Sequence, residues 1–193
     1  MRQFDSAYID HELTEIGIRM KKSAKIYLIG GCAMSFRGLK ETTKDIDIVF
    51  KSDDDYESFC NALFGAQYVD QKPEDVRPEH EKLNAIRMYE NKDRFHLDLF
   101  IRNVCGGMNL SKGMEKRAEL YKQYGRMTVY LVAKEDIFIF KSLASEGRKR
   151  DIGDMRVLYP NLDWKVMKEE LLSQKLSEDL IKLVVRRLEE FKK

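Results

Sequence analysis

Asp45 and Asp47 stand one residue apart at the head of the run Asp45-Ile46-Asp47-Ile48-Val49-Phe50. Along a strand, alternate side chains point to opposite faces, so both carboxylates share one face while Ile46, Ile48 and Phe50 share the other. Aspartate is depleted in strands, and like charges held side by side repel unless a cation sits between them. Oxygen donors of this kind suit Mg²⁺, which takes one or two carboxylates and fills its shell with water and substrate phosphates. Asp98 repeats the pattern, because Phe95, Leu97, Leu99 and Ile101 share one face of residues 94–104 while His96 and Asp98 share the other. If the two strands are neighbours, three carboxylates converge. They could then hold metal, with one placed to take a proton from an attacking hydroxyl.

Upstream, the short apolar run Ile26-Tyr27-Leu28-Ile29 reads as a buried strand and ends in Gly30-Gly31. Paired glycines admit a close approach, and a helix starting there would offer N–H groups to a phosphate. The spacing matches neither a dinucleotide-binding nor a P-loop fingerprint. In the segment that follows, Ser35 and Arg37 are either phosphate contacts or surface residues. Lys141 follows Ile137-Phe138-Ile139-Phe140 and shares a helical stripe with Ile137 and Ala144, so it either snorkels to the surface or holds an anion at a cleft. Arg148, Lys149 and Arg150 crowd a helix start, the end where cations are disfavoured, with Asp151 and Asp154 offsetting part of the charge. Such crowding suits a solvated turn, or a position near a triphosphate or nucleic acid. His11, His80 and His96 lack metal-ligand spacing and read as structural or surface residues. An Asp-x-Asp also marks haloacid-dehalogenase-like phosphatases, but there the pair follows its aliphatic run, whereas here it precedes it.

These residues need elements to hold them. The pattern predicts an opening helix over 6–22 capped by Ser6, a short helix over 32–39, and a helix over 56–64 launched by Ser52 and three aspartates and stopped by Gly65. A long charged loop with Pro73 and Pro78 is expected over 70–82, then strands over 85–90 and 94–104. Beyond Gly106-Gly107, helices are expected over 112–124, 134–146, 149–159, 164–172 and 177–193, with one strand at 127–132. The fold class is therefore α+β, a small mixed sheet flanked by helices over residues 1–110 with a mostly helical C-terminal part over 111–193.

The 193 residues suffice for a real core, and 35 Lys+Arg against 33 Asp+Glu leave a net charge of +2, which singles out no partner. Cys32, Cys60 and Cys105 are odd in number and far apart, which argues against a disulfide scaffold or zinc site and for a reducing cytosol. No stretch approaches the ~20 apolar residues of a membrane span, and no signal-peptide core is present, so a cytoplasmic protein is expected.

Gly30-Gly31, then Thr43-x-Asp45-Ile46-Asp47, then His96-Leu97-Asp98 resemble the nucleotidyltransferase fold of the DNA polymerase beta superfamily. Downstream, residues 132–136 with Lys141 and Arg148-Lys149-Arg150-Asp151 are similar to a prokaryotic subgroup that includes AbiEii-like toxins of toxin–antitoxin systems. Aminoglycoside and lincosamide nucleotidyltransferases share the glycine and Asp-x-Asp part. The resemblance spans residues 26–158 and implies transfer of a nucleoside monophosphate from an NTP to a hydroxyl on a tRNA end, a protein or a small molecule. It implies that Asp45, Asp47 and Asp98 bind two Mg²⁺, that Asp98 activates the acceptor, and that Lys141 holds the triphosphate. Gly30, Gly31, Ser35, Thr43, Arg148 and Asp151 would complete the nucleotide site, and an antitoxin is an implied partner. The superfamily's commoner turn is Gly-Ser, so here backbone N–H groups would replace the serine hydroxyl, with Ser35 a substitute. The competing reading is an inactive copy of the fold serving as an antitoxin-like or nucleic-acid-binding module.

Overall fold

A computed structural model describes residues 2–71, 85–144 and 149–192. In chain order the elements are β1 (Phe4–Asp5), α1 (Ser6–Gly17), β2 (Ala24–Ile29), α2 (Gly30–Phe36), β3 (Thr42–Thr43), β4 (Asp45–Phe50), α3 (Asp53–Gly65) and β5 (Val69–Asp70). Then come β6 (Arg87–Glu90), β7 (His96–Ile101), α4 (Lys112–Arg117), β8 (Glu119–Tyr124), β9 (Met127–Leu131), α5 (Lys134–Ala144), α6 (Lys149–Leu158), α7 (Trp164–Ser173) and α8 (Glu178–Glu190). Seven strands form one mixed sheet in the order β5-β6-β7-β4-β2-β9-β8, and β1 pairs with β3 in a small second sheet. The expected α+β class is what the chain adopts. Strands β8 and β9 lie beyond residue 110 yet belong to the same sheet.

The apolar periodicity in β4 decides how the sheet is covered. Ile46, Ile48 and Phe50 are fully buried, and Phe50 packs against Tyr56 and Phe59 of α3 with ring centroids 5.6 and 5.3 Å apart. Ser52 caps α3 by accepting from Asp55 N, and Asp53, Asp54 and Asp55 place negative charge where the helix dipole is positive. On the opposite face, Phe100 and Phe140 are buried, and the thiol of Cys105 donates to Phe140 O at 3.3 Å. Helix α5 thus closes one end of that face and leaves the end with the acids open.

Several element ends shift by two or three residues, and two regions depart further from expectation. Asp5, not Ser6, caps α1 by accepting from Tyr8 N, and the helix ends at Gly17. A Cβ on Gly17 would meet Tyr124 O at 2.3 Å, so the helix stops where it docks on the β8–β9 hairpin. The stretch expected to be one helix over 112–124 is α4 followed by the strand β8. Gly125, at φ +55°, opens a two-residue turn between Tyr124 and Met127, the glycine position that tight hairpins favour. A bulge between Leu120 and Lys122 breaks the alternation that would have marked the strand. Of the expected 70–82 loop, Asp70 ends strand β5 and residues 72–82 lie outside the described residues.

Candidate active site

The central relationship is set by strand register. β4 and β7 run parallel with Asp45 opposite His96 and Asp47 opposite Asp98. Paired positions share a face, so the three aspartates stand on the same side of the sheet. β2 flanks β4 on its other edge, antiparallel, with Ile29 opposite Asp47. The glycine turn that ends β2 therefore lands beside the acid pair. Gly30 adopts φ +62°, and a Cβ there would sit 2.2 Å from Asp47 Oδ2. On Gly31 a Cβ would lie 2.8 Å from Thr43 Oγ1 and 3.4 Å from Lys40 Nζ. The glycines are needed for this approach. Helix α2, which begins at Gly30, spans seven residues, too few for much of a macrodipole.

These groups line an open cleft of ≈ 1610 Å³. That exceeds the ~300–1,000 Å³ usual for a single small ligand. Thr43 is buried and its hydroxyl lies 3.2 Å from Asp45 O and 3.4 Å from Asp45 Oδ1, buttressing the first carboxylate. The negative field of the pair reaches Cys32 on α2. Burial first, and then Asp47 and Asp45, push the Cys32 thiol well above its ordinary pKa. His96 shares the cleft wall, with its Nε2 3.2 Å from Glu90 Oε2.

Lys141 does not snorkel. It is 8% exposed and lies on the cleft wall, 2.9 Å from Asp151 Oδ1 and 2.7 Å from Asp154 Oδ2. Burial opposes its charge, but the two carboxylates outweigh burial and raise its pKa. Asp151 is thus turned to the lysine, and Arg150 is exposed at the cleft. Arg148 lies outside the described residues. Ser35 is buried within the protein and is not among the residues of the cleft wall. Arg37 reaches away from the cleft, to Leu131 O at 3.2 Å and Glu119 at 3.6 Å. Two residues that sequence reasoning passed over, Lys40 and Glu90, line the cleft, and only their place just before the acid strand or beside a turn could have flagged them.

The chain thus sets a glycine turn against an acidic pair at the end of a mixed sheet, with a third acid on the adjacent parallel strand, and its fold is that of a nucleotidyltransferase. Residues 7–193 match the family described as "Nucleotidyltransferase of unknown function (DUF6036)", and the chain belongs to that family. The solution structure of the antibiotic-resistance factor ANT(2″)-Ia superposes with a TM-score of 0.57 at 14% identity, covering 88% of this chain and 92% of that one. Its crystal structure with adenylyl-2″-tobramycin gives 0.56 at 13%, covering 95% and 97%. The lincosamide antibiotic adenylyltransferase LnuA, bound to lincomycin, gives 0.50 at 16%, covering 79% and 94%. At such identities the likeness is one of fold. No curated protein matches the chain by sequence. Among the described residues, no helix is long and apolar enough to cross a membrane.

Proposed function

We propose that this nucleotidyltransferase moves a nucleoside monophosphate from an NTP to an acceptor hydroxyl and releases pyrophosphate. The observation that carries this reading is the parallel register that puts Asp47 and Asp98 opposite each other, with Asp45 on the same face of the cleft. The donors are all carboxylate oxygens, the chemistry Mg²⁺ prefers. Among the described residues no group of three or more His, Cys, Asp or Glu is gathered closely enough to enclose an ion by itself. In the proposed reading Asp45, Asp47 and Asp98 would hold the ion together with substrate phosphates. When bound, Mg²⁺ would neutralise charge on the attacking and leaving oxygens.

The chain's own residues then have distinct tasks. Asp98, at 2% exposure, accepts the proton of the attacking hydroxyl. As the acceptor oxygen bonds to the α-phosphorus, the bond from that phosphorus to the pyrophosphate oxygen breaks. Lys141 and Arg150 on the cleft wall attract the departing polyphosphate, and Arg148 is proposed to join them. Asp151 keeps Lys141 charged, Thr43 steadies Asp45, and Gly30 and Gly31 keep the approach open. The acceptor belongs to a small molecule, a tRNA 3′ end or a protein. An antitoxin-type partner follows from the family resemblance, and three free cysteines support a reducing cytoplasm.

Each α-labelled NTP, incubated with the protein, Mg²⁺ and small-molecule, tRNA or protein acceptors, should yield a labelled acceptor. Chelation should abolish the transfer, Mg²⁺ should restore it, and Asp98→Asn should lower it by about 10²–10⁴-fold. Absence of NTP binding with Mg²⁺, or transfer surviving Asp45→Asn with Asp47→Asn, rules the reading out.

A further inference from the structure

Lys40 lies in the loop between α2 and β3, and Lys141 on α5, yet their ammonium groups meet at a single oxygen. Asp154 Oδ2 is 2.8 Å from Lys40 Nζ and 2.7 Å from Lys141 Nζ, and Asp154 Oδ1 is 3.0 Å from Lys40. Two like charges do not settle side by side unless a counter-charge lies between them. Little solvent screens this arrangement, because the side chains of Lys141 and Asp154 are only 9% and 13% exposed. Burial pushes the Asp154 carboxyl up, but Lys141 and Lys40 together hold it below its ordinary value, so it stays ionised between them.

All three groups line the cleft, and Lys40 Nζ is level with the glycine turn. A lysine ammonium carries three donors, and the contacts to Asp151 and Asp154 engage two of those on Lys141. The remainder are available to phosphate oxygens. Resting on the nucleotidyltransferase reading above, we propose that Asp154 is a positioning residue that yokes Lys40 and Lys141 into one two-ammonium clamp for the nucleotide's polyphosphate. Lys40 is thereby a second polyphosphate ligand beside Lys141. The clamp recognises the β- and γ-phosphates and pyrophosphate, and takes no part in recognising the base or the acceptor.

The test uses the full chain and calorimetry with a non-hydrolysable NTP and Mg²⁺, with the matching NMP, and with inorganic pyrophosphate. Asp154→Asn should weaken NTP and pyrophosphate binding by about tenfold while NMP binding moves less than about twofold. Lys40→Met should reproduce that pattern, and the double variant should be no weaker than the worse single one, since both changes dismantle one clamp. Asp154→Glu should recover part of the loss. In turnover, the loss should fall on KM for NTP more than on kcat.

Unchanged or tighter NTP binding in Asp154→Asn overturns the proposal, because it would make Asp154 a bystander or a competitor of the phosphates. An equal loss of NMP binding also overturns it, because that marks general distortion. Should Asp154→Asn fail to fold, Lys40→Met decides alone, and normal pyrophosphate binding there counts against the clamp. If the unaltered protein binds no NTP, the parent reading fails. If it binds NTP and both variants bind equally well, only this inference does.

Discussion

Asp47 on β4 and Asp98 on β7 are direct cross-strand neighbours in a parallel pair, two acids facing each other on one side of the sheet. Like charges placed directly opposite destabilise a sheet, by about 0.2–1 kcal/mol. Asp98→Asn should therefore raise the melting temperature measured with a chelator by up to about 4 °C, even as it removes transfer activity. A fall in melting temperature would mean that Asp98 is kept for packing rather than for chemistry. The expected gain and loss together are the signature of a site that trades stability for function.

Gly30→Ala tests the other side of the pair. The new methyl would sit 2.2 Å from Asp47 Oδ2 in a backbone region that costs an L-residue roughly 1–3 kcal/mol. Unfolding should register that cost, and NTP binding with Mg²⁺ should fall further than the stability loss alone explains, because Asp47 must move. Calorimetry beside a thermal melt separates the two effects. Normal nucleotide affinity in a folded Gly30→Ala protein would show that Asp47 does not need this close approach.

Asp154 gives the acid limb of the stability curve a specific shape. Burial raises its carboxyl, but Lys141 and Lys40 lower it further, so its folded value lies below the ordinary 3.8. A depressed acid contributes stability that is complete above 3.8 and drains away as pH falls through the folded value. The melting-temperature gap between the unaltered protein and Asp154→Asn should hold steady from neutral pH down to about 3.8 and close as pH falls from there through the folded value. A gap that stays constant through acid would mean the pair contributes no charge-dependent stability.

Remote from the cleft, Arg117 of α4 binds both Asp136 of α5 and Glu170 of α7, acids whose side chains are 0% and 3% exposed. Arg117→Ala leaves two carboxylates buried together, a loss on the order of 3–5 kcal/mol. A denaturant melt should show it. Burial pushes Asp136 up to about 6 despite Arg117, so its own contribution is present below 3.8 and is lost as pH rises through 6. Asp136→Asn should accordingly gain on the unaltered protein across that window.

Residues whose neighbours are close in sequence were legible from the sequence, and those whose partners are distant were not. Alternation within six residues was enough to put Asp45 and Asp47 on one face, and the same logic gave Asp98 its side of β7. That β4 and β7 lie parallel with Asp47 opposite Asp98 depends on sheet order, which no local pattern carries. Lys141 could be read as snorkelling or as holding an anion at a cleft, and its distant partners Asp151 and Asp154, within 3 Å, show that it does not snorkel. Ser35 could be read as a phosphate contact or a surface residue, and the fold buries it. β8 went unread because its bulge spoils the two-residue period, and only Gly125 hinted at a hairpin.

Parallel pairing of β2 with β9 joins Ala24–Leu28 to Met127–Leu131 across a hundred residues of intervening chain. Until those last strands arrive, β2 offers a bare row of backbone donors and acceptors along one flank, the sort of template that recruits stray chains. Ribosomal synthesis must therefore pass through a period in which the half carrying the glycine bend is adhesive. A shortened version ending near residue 110 should precipitate, and a separately supplied hairpin of residues 119–131 should rescue it.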